Sequence, residues 1–286
     1  MSSQFSKRYT RSVPGNVTVW LLLLILGAFM MLPLIYTVVS AFKPFNEIFI
    51  FPPRFFVKRP TGDNFVKLFI SASAMWVPLS RYIFNSVAIS IAATLGNVLF
   101  SSAAAYPLAK HPFPGRKLLS GIAVATLLFT GAVTALPQYI ILTKLGWLNT
   151  YAAIIVPAIG STLGVFLMTQ FIAQMIPESI IEAAQIDGAS EYRIFGSIVM
   201  PNVKPAWLTL TIFCFQSVWA NNGMSLVYSE QLKTLPAALS QIATSGIARV
   251  GEGMAASLIM ILPPIFVFIL AQNKIVETMA FAGLKE

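Results

Sequence analysis

Few residues in this chain can carry proton or metal chemistry, and they do not cluster. Its 286 residues include one histidine, one cysteine and ten acidic side chains. A zinc site or a Ser-His-Asp triad needs several such groups converging. His111 stands alone in the basic turn Lys110-His111-Pro112-Phe113-Pro114-Gly115-Arg116-Lys117. No G-x-x-x-x-G-K-[ST] loop occurs, so the chain offers no P-loop cradle for ATP. Cys214, as the single cysteine, excludes an internal disulfide and any cysteine-clustered metal site. What remains is amide and aromatic chemistry. Gln138, Tyr139, Gln216, Trp219, Asn221 and Asn222 lie in or beside apolar runs, as do Asn85 and Asn97. Amides and aromatic faces suit a neutral polyhydroxyl solute, by hydrogen bonding and by stacking on sugar CH faces. The same side chains serve equally to join one helix to another. The first six therefore form a candidate solute path, with no catalytic and no metal residue beside it.

The elements that must position these groups are set by composition. Hydrophobic residues make up 57% of the chain and charged residues only 10%, where a soluble domain carries about 25% charged residues. The mean hydropathy is +0.77. This is an all-α integral membrane protein. The net charge of +9 comes from basic residues spread thinly between apolar runs. That pattern marks membrane-flanking positions and not a nucleic-acid surface.

The apolar runs predict six transmembrane helices, at about 17–42, 82–109, 118–143, 151–175, 206–228 and 254–272. The first is longer than the apolar core of a secretory signal and reads as a retained span, kinked at Pro33. Within these limits no span contains Asp, Glu, Lys, Arg or His. Ion-coupled transporters usually hold such residues at membrane depth, despite the cost. A proline- and aromatic-rich segment from Lys43 to about Ser80 packs against the membrane face. Residues 1–16 form a polar, basic N-terminal segment, 17–275 the transmembrane domain, and 276–286 a short tail. Six spans place both ends on one side. Ten of the nineteen Lys and Arg then share the side of the termini. The basic amino terminus and the Lys110–Lys117 turn favour a cytoplasmic position for both ends.

One polar stretch interrupts the apolar pattern, at 177–205. Pro177 suits a first helical turn, and Glu178 and Glu182 suit the positive end of the helix dipole. Ala183, Ala184 and Gln185 favour helix, and Gly188 is the residue best able to take the left-handed turn that stops one. Ser190 then caps a second helix, in which Ile194, Phe195, Ile198 and Val199 share an apolar face. The result is a glycine elbow flanked by small alanines. Loop helices that lie on lipid are usually basic. This one carries Glu178, Glu182, Asp187 and Glu191, and its acidity favours a protein partner over lipid.

Glu182-Ala183-Ala184, Asp187-Gly188-Ala189, then Ile198 and Pro201 resemble the "EAA" loop of ATP-binding-cassette importer permeases. Further segments are similar to the carbohydrate, maltose-permease-type branch of that family. They are Asn85-Ser86, Ala104-Ala105-Tyr106, Leu145-Gly146-Trp147-Leu148-Asn149-Thr150 and Gly283-Leu284-Lys285. The resemblance implies a type I importer permease of a bacterial or archaeal cytoplasmic membrane, with the elbow as the coupling helix seated on a cytoplasmic ATPase. It implies a second homologous permease forming a heterodimer, two ATPase subunits that bind ATP and Mg, an extracytoplasmic solute-binding protein, and no cofactor in this chain. Many family members carry a tryptophan directly followed by asparagine near Trp219; here Ala220 intervenes. An ion-coupled secondary transporter and a membrane enzyme are the alternatives, disfavoured by the uncharged spans and by the lack of clustered acids, His or Cys.

Overall fold

The computed structural model describes residues 13–282 except Asn222 and Met224. The readings made for residues 1–12, Asn222 and 283–286 lie outside the described residues. Every regular element within them is helical. The first helices are α1 (Val13–Ala41), α2 (Phe45–Ile48), α3 (Asp63–Ser73) and α4 (Leu79–Lys110). Next come α5 (Arg116–Thr126), α6 (Gly131–Lys144), α7 (Ala152–Ile159) and α8 (Thr162–Met175). The elbow region holds α9 (Glu178–Ile186), α10 (Glu191–Ile194), a π-helical turn at Phe195–Val199 and α11 (Met200–Asn202). The chain continues through α12 (Lys204–Ala220), α13 (Leu235–Thr244) and α14 (Val250–Ala282).

Four helical stretches are long and apolar enough to cross a bilayer: Val17–Ala41, Leu79–Lys110, Ala152–Met175 and Ile247–Gln272. Two pairs pass that test only together, and both are sharply bent. Glu191–Asn202 meets Lys204–Ala220 at 79°, and Arg116–Thr126 meets Gly131–Lys144 at 111°. The second of these lies within the span expected over 118–143, which is bent there and not one straight helix. The cause is local. Thr126 Oγ1 donates to the Ala123 carbonyl at 2.8 Å, and the amides of Leu127, Leu128 and Phe129 bond back three residues instead of four. Thr130 is then extended, at ψ 154°, and Gly131 starts a new helix. The segment expected over 206–228 also differs, because its helix stops at Ala220. There Asn221 turns extended and its Oδ1 accepts the Gly223 amide at 2.9 Å.

Helix α4 is the centre of the bundle, packing against α7, α8 and α12. Its buried face is rich in small and polar residues, among them Asn85, Ser86, Ser90, Ala93, Asn97, Ser101 and Ala105, with Tyr82, Ile89 and Tyr106 as large members. Small residues let helix backbones approach closely in a membrane. Gly164 of α8 shows how closely: a Cβ there would lie 2.4 Å from Ser101 Oγ. Asn97 Nδ2 donates to the Ala158 carbonyl at 2.7 Å, beside the break between α7 and α8. Freed backbone groups at membrane depth need such a partner.

The two ends of the bundle carry different hardware. At one end, Asn85 Nδ2 donates to the carbonyls of Gln231 and Lys233, and Asn149 takes the amides of Tyr228 and Ser229 on its Oδ1. These bonds fasten the chain after α12 to α4 and to the turn that precedes α7. At the opposite end of α4 sit the basic turn and the elbow.

Candidate functional site

The elbow begins where α8 ends, with Pro177 extended at φ −62°, ψ 146° ahead of Glu178. Helix α9 closes in a Schellman motif. The Ala189 amide donates to the Ala184 carbonyl and the Gly188 amide to the Gln185 carbonyl, both at 3.0 Å. Gly188 takes φ +75°, the left-handed conformation that the sequence predicts for it. Each residue of the two triplets has a place in this turn. Ala184 is buried and Ala189 packs against the same apolar cluster. Asp187 is the exposed C-cap, and Ala183 is exposed. Glu182 opens into a polar cleft of about 390 Å³ shared with Lys110, His111, Arg116, Glu178 and Gln185.

After the turn, Ser190 occupies the N-cap position of α10, but its side chain makes no capping bond. That corrects the expectation of a serine cap. Ile194, Phe195, Ile198 and Val199 all pack into the cluster formed by Ala105, Tyr106 and Ala109 of α4 with Met168 and Ile172 of α8. Ile194 and Val199 are both fully buried although five residues apart. The π-turn makes this possible, because the Met200 amide reaches back to Phe195 and widens the turn to five residues. Pro201 gives the reason. Its ring would clash with the carbonyl four residues earlier in an α-helix, and the wider turn avoids the clash.

The elbow tip carries two apolar residues that the sequence reading did not select. Ile186 is 86% exposed and Tyr192 is 91% exposed. They flank the Gly188 turn in sequence, where Glu182, Ala183, Asp187 and Arg193 are exposed as well. The sequence holds a signal for Ile186. It follows the buried Ile181 by five residues, about 140° around an α-helix, so it cannot share that residue's face.

Glu191 ties this tip to the bundle. One carboxylate oxygen accepts from the Tyr106 hydroxyl at 2.8 Å and lies 3.3 Å from His111 Nε2; the other accepts from Gln185 Nε2 at 3.0 Å. The Tyr106 hydroxyl is the main cause holding the Glu191 carboxyl below its ordinary range. A depressed folded-state value means that the attachment is complete above the ordinary carboxylate range. It is lost as pH falls through the lowered value.

The candidate solute-path residues are not gathered into one site. Gln216 and Trp219 line a cavity of about 470 Å³ between α12 and α14, together with Ser257, Met260 and Pro264. Gln138 lines a different cavity, beside Trp147 and Pro157. Tyr139 and Asn221 are exposed. Trp219 is 5% exposed, its ring stacks on Phe215, and its indole nitrogen donates to the Met260 carbonyl at 2.9 Å. Pro264 lacks the amide that would otherwise bond that carbonyl, so the tryptophan satisfies the acceptor that the proline leaves open. Among the described residues, no three His, Cys, Asp or Glu side chains converge as a metal site.

A family model described as "Binding-protein-dependent transport system inner membrane component" matches residues 96–280. The arabinooligosaccharides transport system permease protein AraQ of Halalkalibacterium halodurans is 31% identical over 261 residues, covering 88% of this chain and 90% of its own. The trehalose/maltose transport system permease protein MalG of Thermococcus litoralis is 28% identical over 274 residues, covering 92% and 96%. Among solved structures, a bacterial ABC transporter involved in the import of the acidic polysaccharide alginate shares the fold, with a TM-score of 0.75 at 20% identity. The likeness covers 92% of this chain and 98% of the matched one. A multi-pass helical membrane protein with a glycine elbow, matched over most of its length by these permeases, belongs to the family of binding-protein-dependent transport system inner membrane components.

Proposed function

We propose that this chain is one of two membrane subunits of an ATP-driven importer for a neutral sugar or oligosaccharide. The observation that carries the reading is the elbow: a Schellman turn at Gly188, rooted in the bundle core and presenting Ile186 and Tyr192 outward. Glu182, Ala183, Ala184, Asp187, Gly188, Ala189, Ile198 and Pro201 shape that surface for a cytoplasmic ATPase. Two ATPase subunits hold ATP and Mg and perform the hydrolysis, while this chain catalyses nothing. A second, homologous permease completes the translocation path, and an extracytoplasmic binding protein delivers the solute. Both termini and the elbow lie on the cytoplasmic side of a bacterial or archaeal inner membrane.

Carbohydrate as the cargo is supported by the relatives named for arabinooligosaccharides and for trehalose/maltose. A solved relative of the fold was captured with an alginate pentasaccharide-bound periplasmic protein, at a TM-score of 0.58. Gln138, Tyr139, Gln216, Trp219, Asn221 and Asn222 are the proposed path residues. Of these, Gln216 has the best placement, being exposed beside a largely apolar cavity wall.

The test is uptake by the complete complex in vesicles, with ATP on the ATPase side and its binding protein outside. Trehalose, maltotriose and arabinotriose serve as labelled probes. At least one should accumulate only with ATP, at a rate that a protonophore leaves unchanged. Uptake that collapses with the protonophore at constant ATP would point to an ion-coupled transporter instead.

A further inference from the structure

Most contacts that root the elbow are apolar and therefore non-directional. Ile181, Ile194 and Val199 sit among Ala105, Ala109 and Met168, an arrangement that resists separation but tolerates sliding. The contact at Glu191 is of another kind. Its carboxylate, at the start of α10, is held from three other places. These are Tyr106 in the last turns of α4 (2.8 Å), His111 just beyond that helix (3.3 Å) and Gln185 of α9 (3.0 Å). The Tyr106 ring is itself fixed. It is 6% exposed, edge-on to His111 with centroids 5.1 Å apart, and 5.7 Å from the ring of Phe195 in the π-turn. Hydrogen bonds to an ionised group are short, directional and roughly twice as strong as neutral ones.

We propose that Glu191 is the positioning residue that locks the elbow to the inner end of α4, so that displacement of the elbow is delivered to α4 and not absorbed by sliding. From α4 the motion passes to α7, α8 and α12, which all pack on it. This inference rests on the reading of the elbow as the ATPase dock. It adds a residue outside the EAA triplet and its glycine turn, and a named route into the bundle.

Electron spin-echo distances in the assembled complex test it, in a Cys214→Ala background. One label pair, Ser179→Cys with Ala28→Cys, reports movement of α9 against α1. A second, Leu99→Cys with Ala28→Cys, reports movement of α4 against α1. In the otherwise wild-type complex, ATP with vanadate should shift both distances. In Glu191→Ala the first shift should persist while the second is lost, with ATPase subunits still bound. Tyr106→Phe keeps the ring packing and removes only the hydroxyl, so it should lose the same α4 shift. Glu191→Gln retains an oxygen for that hydroxyl and should keep the shift. An α4 shift that survives in both Glu191→Ala and Tyr106→Phe would overturn the proposal. So would loss of the ATPase from Glu191→Ala, because the carboxylate would then be a docking contact and not an internal lock. A parent complex isolated without ATPase would sink the docking reading, and this inference with it, before any variant is compared.

Discussion

Ile186→Asp should strip the ATPase from the complex while leaving the membrane bundle as stable as before. Ile186 is 86% exposed within this chain, and surface changes of that kind usually move stability by no more than about 0.5 kcal/mol. In a docked complex the side chain is buried by the partner. Fully burying an isoleucine is worth about 1.5–3 kcal/mol, and an unpaired carboxylate in its place adds a desolvation cost. A loss of about 3 kcal/mol is more than a hundredfold in affinity. Tyr192→Ala should act in the same direction, since buried tyrosines are frequent interface hot spots worth about 2 kcal/mol or more. The readout is ATPase retained per permease after purification, beside the melting temperature of the permease itself. Wild-type retention in both variants would mean that the tip is not the docking surface.

Gly188→Val should have a comparable effect through a different cause. A Cβ at Gly188 would meet nothing within 4 Å, so crowding is not the issue. The issue is φ +75°, which costs an ordinary L-residue about 1–2 kcal/mol and a β-branched residue more. The chain relieves that strain by giving up the Schellman turn, and α9 and α10 then reorient. Ile186 and Tyr192 no longer present one surface, and retained ATPase should fall by about tenfold or more, the equivalent of at least 1.4 kcal/mol. Gly188→Asn is the control. Asparagine enters the left-handed region comparatively easily, so this variant should keep most of its ATPase. Equal losses from valine and asparagine would show that conformation at this position is not what docking requires.

The elbow was legible in the sequence because its residue types are nearly dictated by its geometry. A left-handed C′ position calls for glycine, and a turn whose neighbours pack closely calls for alanine. Gly188 and Ala184 answer to both rules. Ile186 and Tyr192 were harder to see, since a hydrophobic residue next to buried ones reads as core until its angle around the helix is considered. The break at 127–130 was hidden for another reason. Hydropathy reports composition, and Leu127, Leu128 and Phe129 are as apolar as the helices on either side, while the bend comes from Thr126 and the turn bonds around it.

The amides and Trp219 show a third limit. Asn85, Asn97 and Trp219 look in sequence like groups free to meet a solute. Their partners are the carbonyls of Gln231, Ala158 and Met260, between 41 and 146 residues away. Spacing along one helix cannot indicate a carbonyl left open by a break or a proline in another. Gln216, like Tyr139 and Asn221, is left exposed by the fold.

The Gly188 elbow should touch an ATPase directly. A photo-reactive amino acid at Tyr192, which is 91% exposed, reads that contact directly. Irradiation of native membranes, followed by mass identification of the adduct, should give a peptide from a cytoplasmic subunit that carries a P-loop. Adducts confined to phospholipid, or to a second copy of this chain, would show that the elbow does not dock on an ATPase.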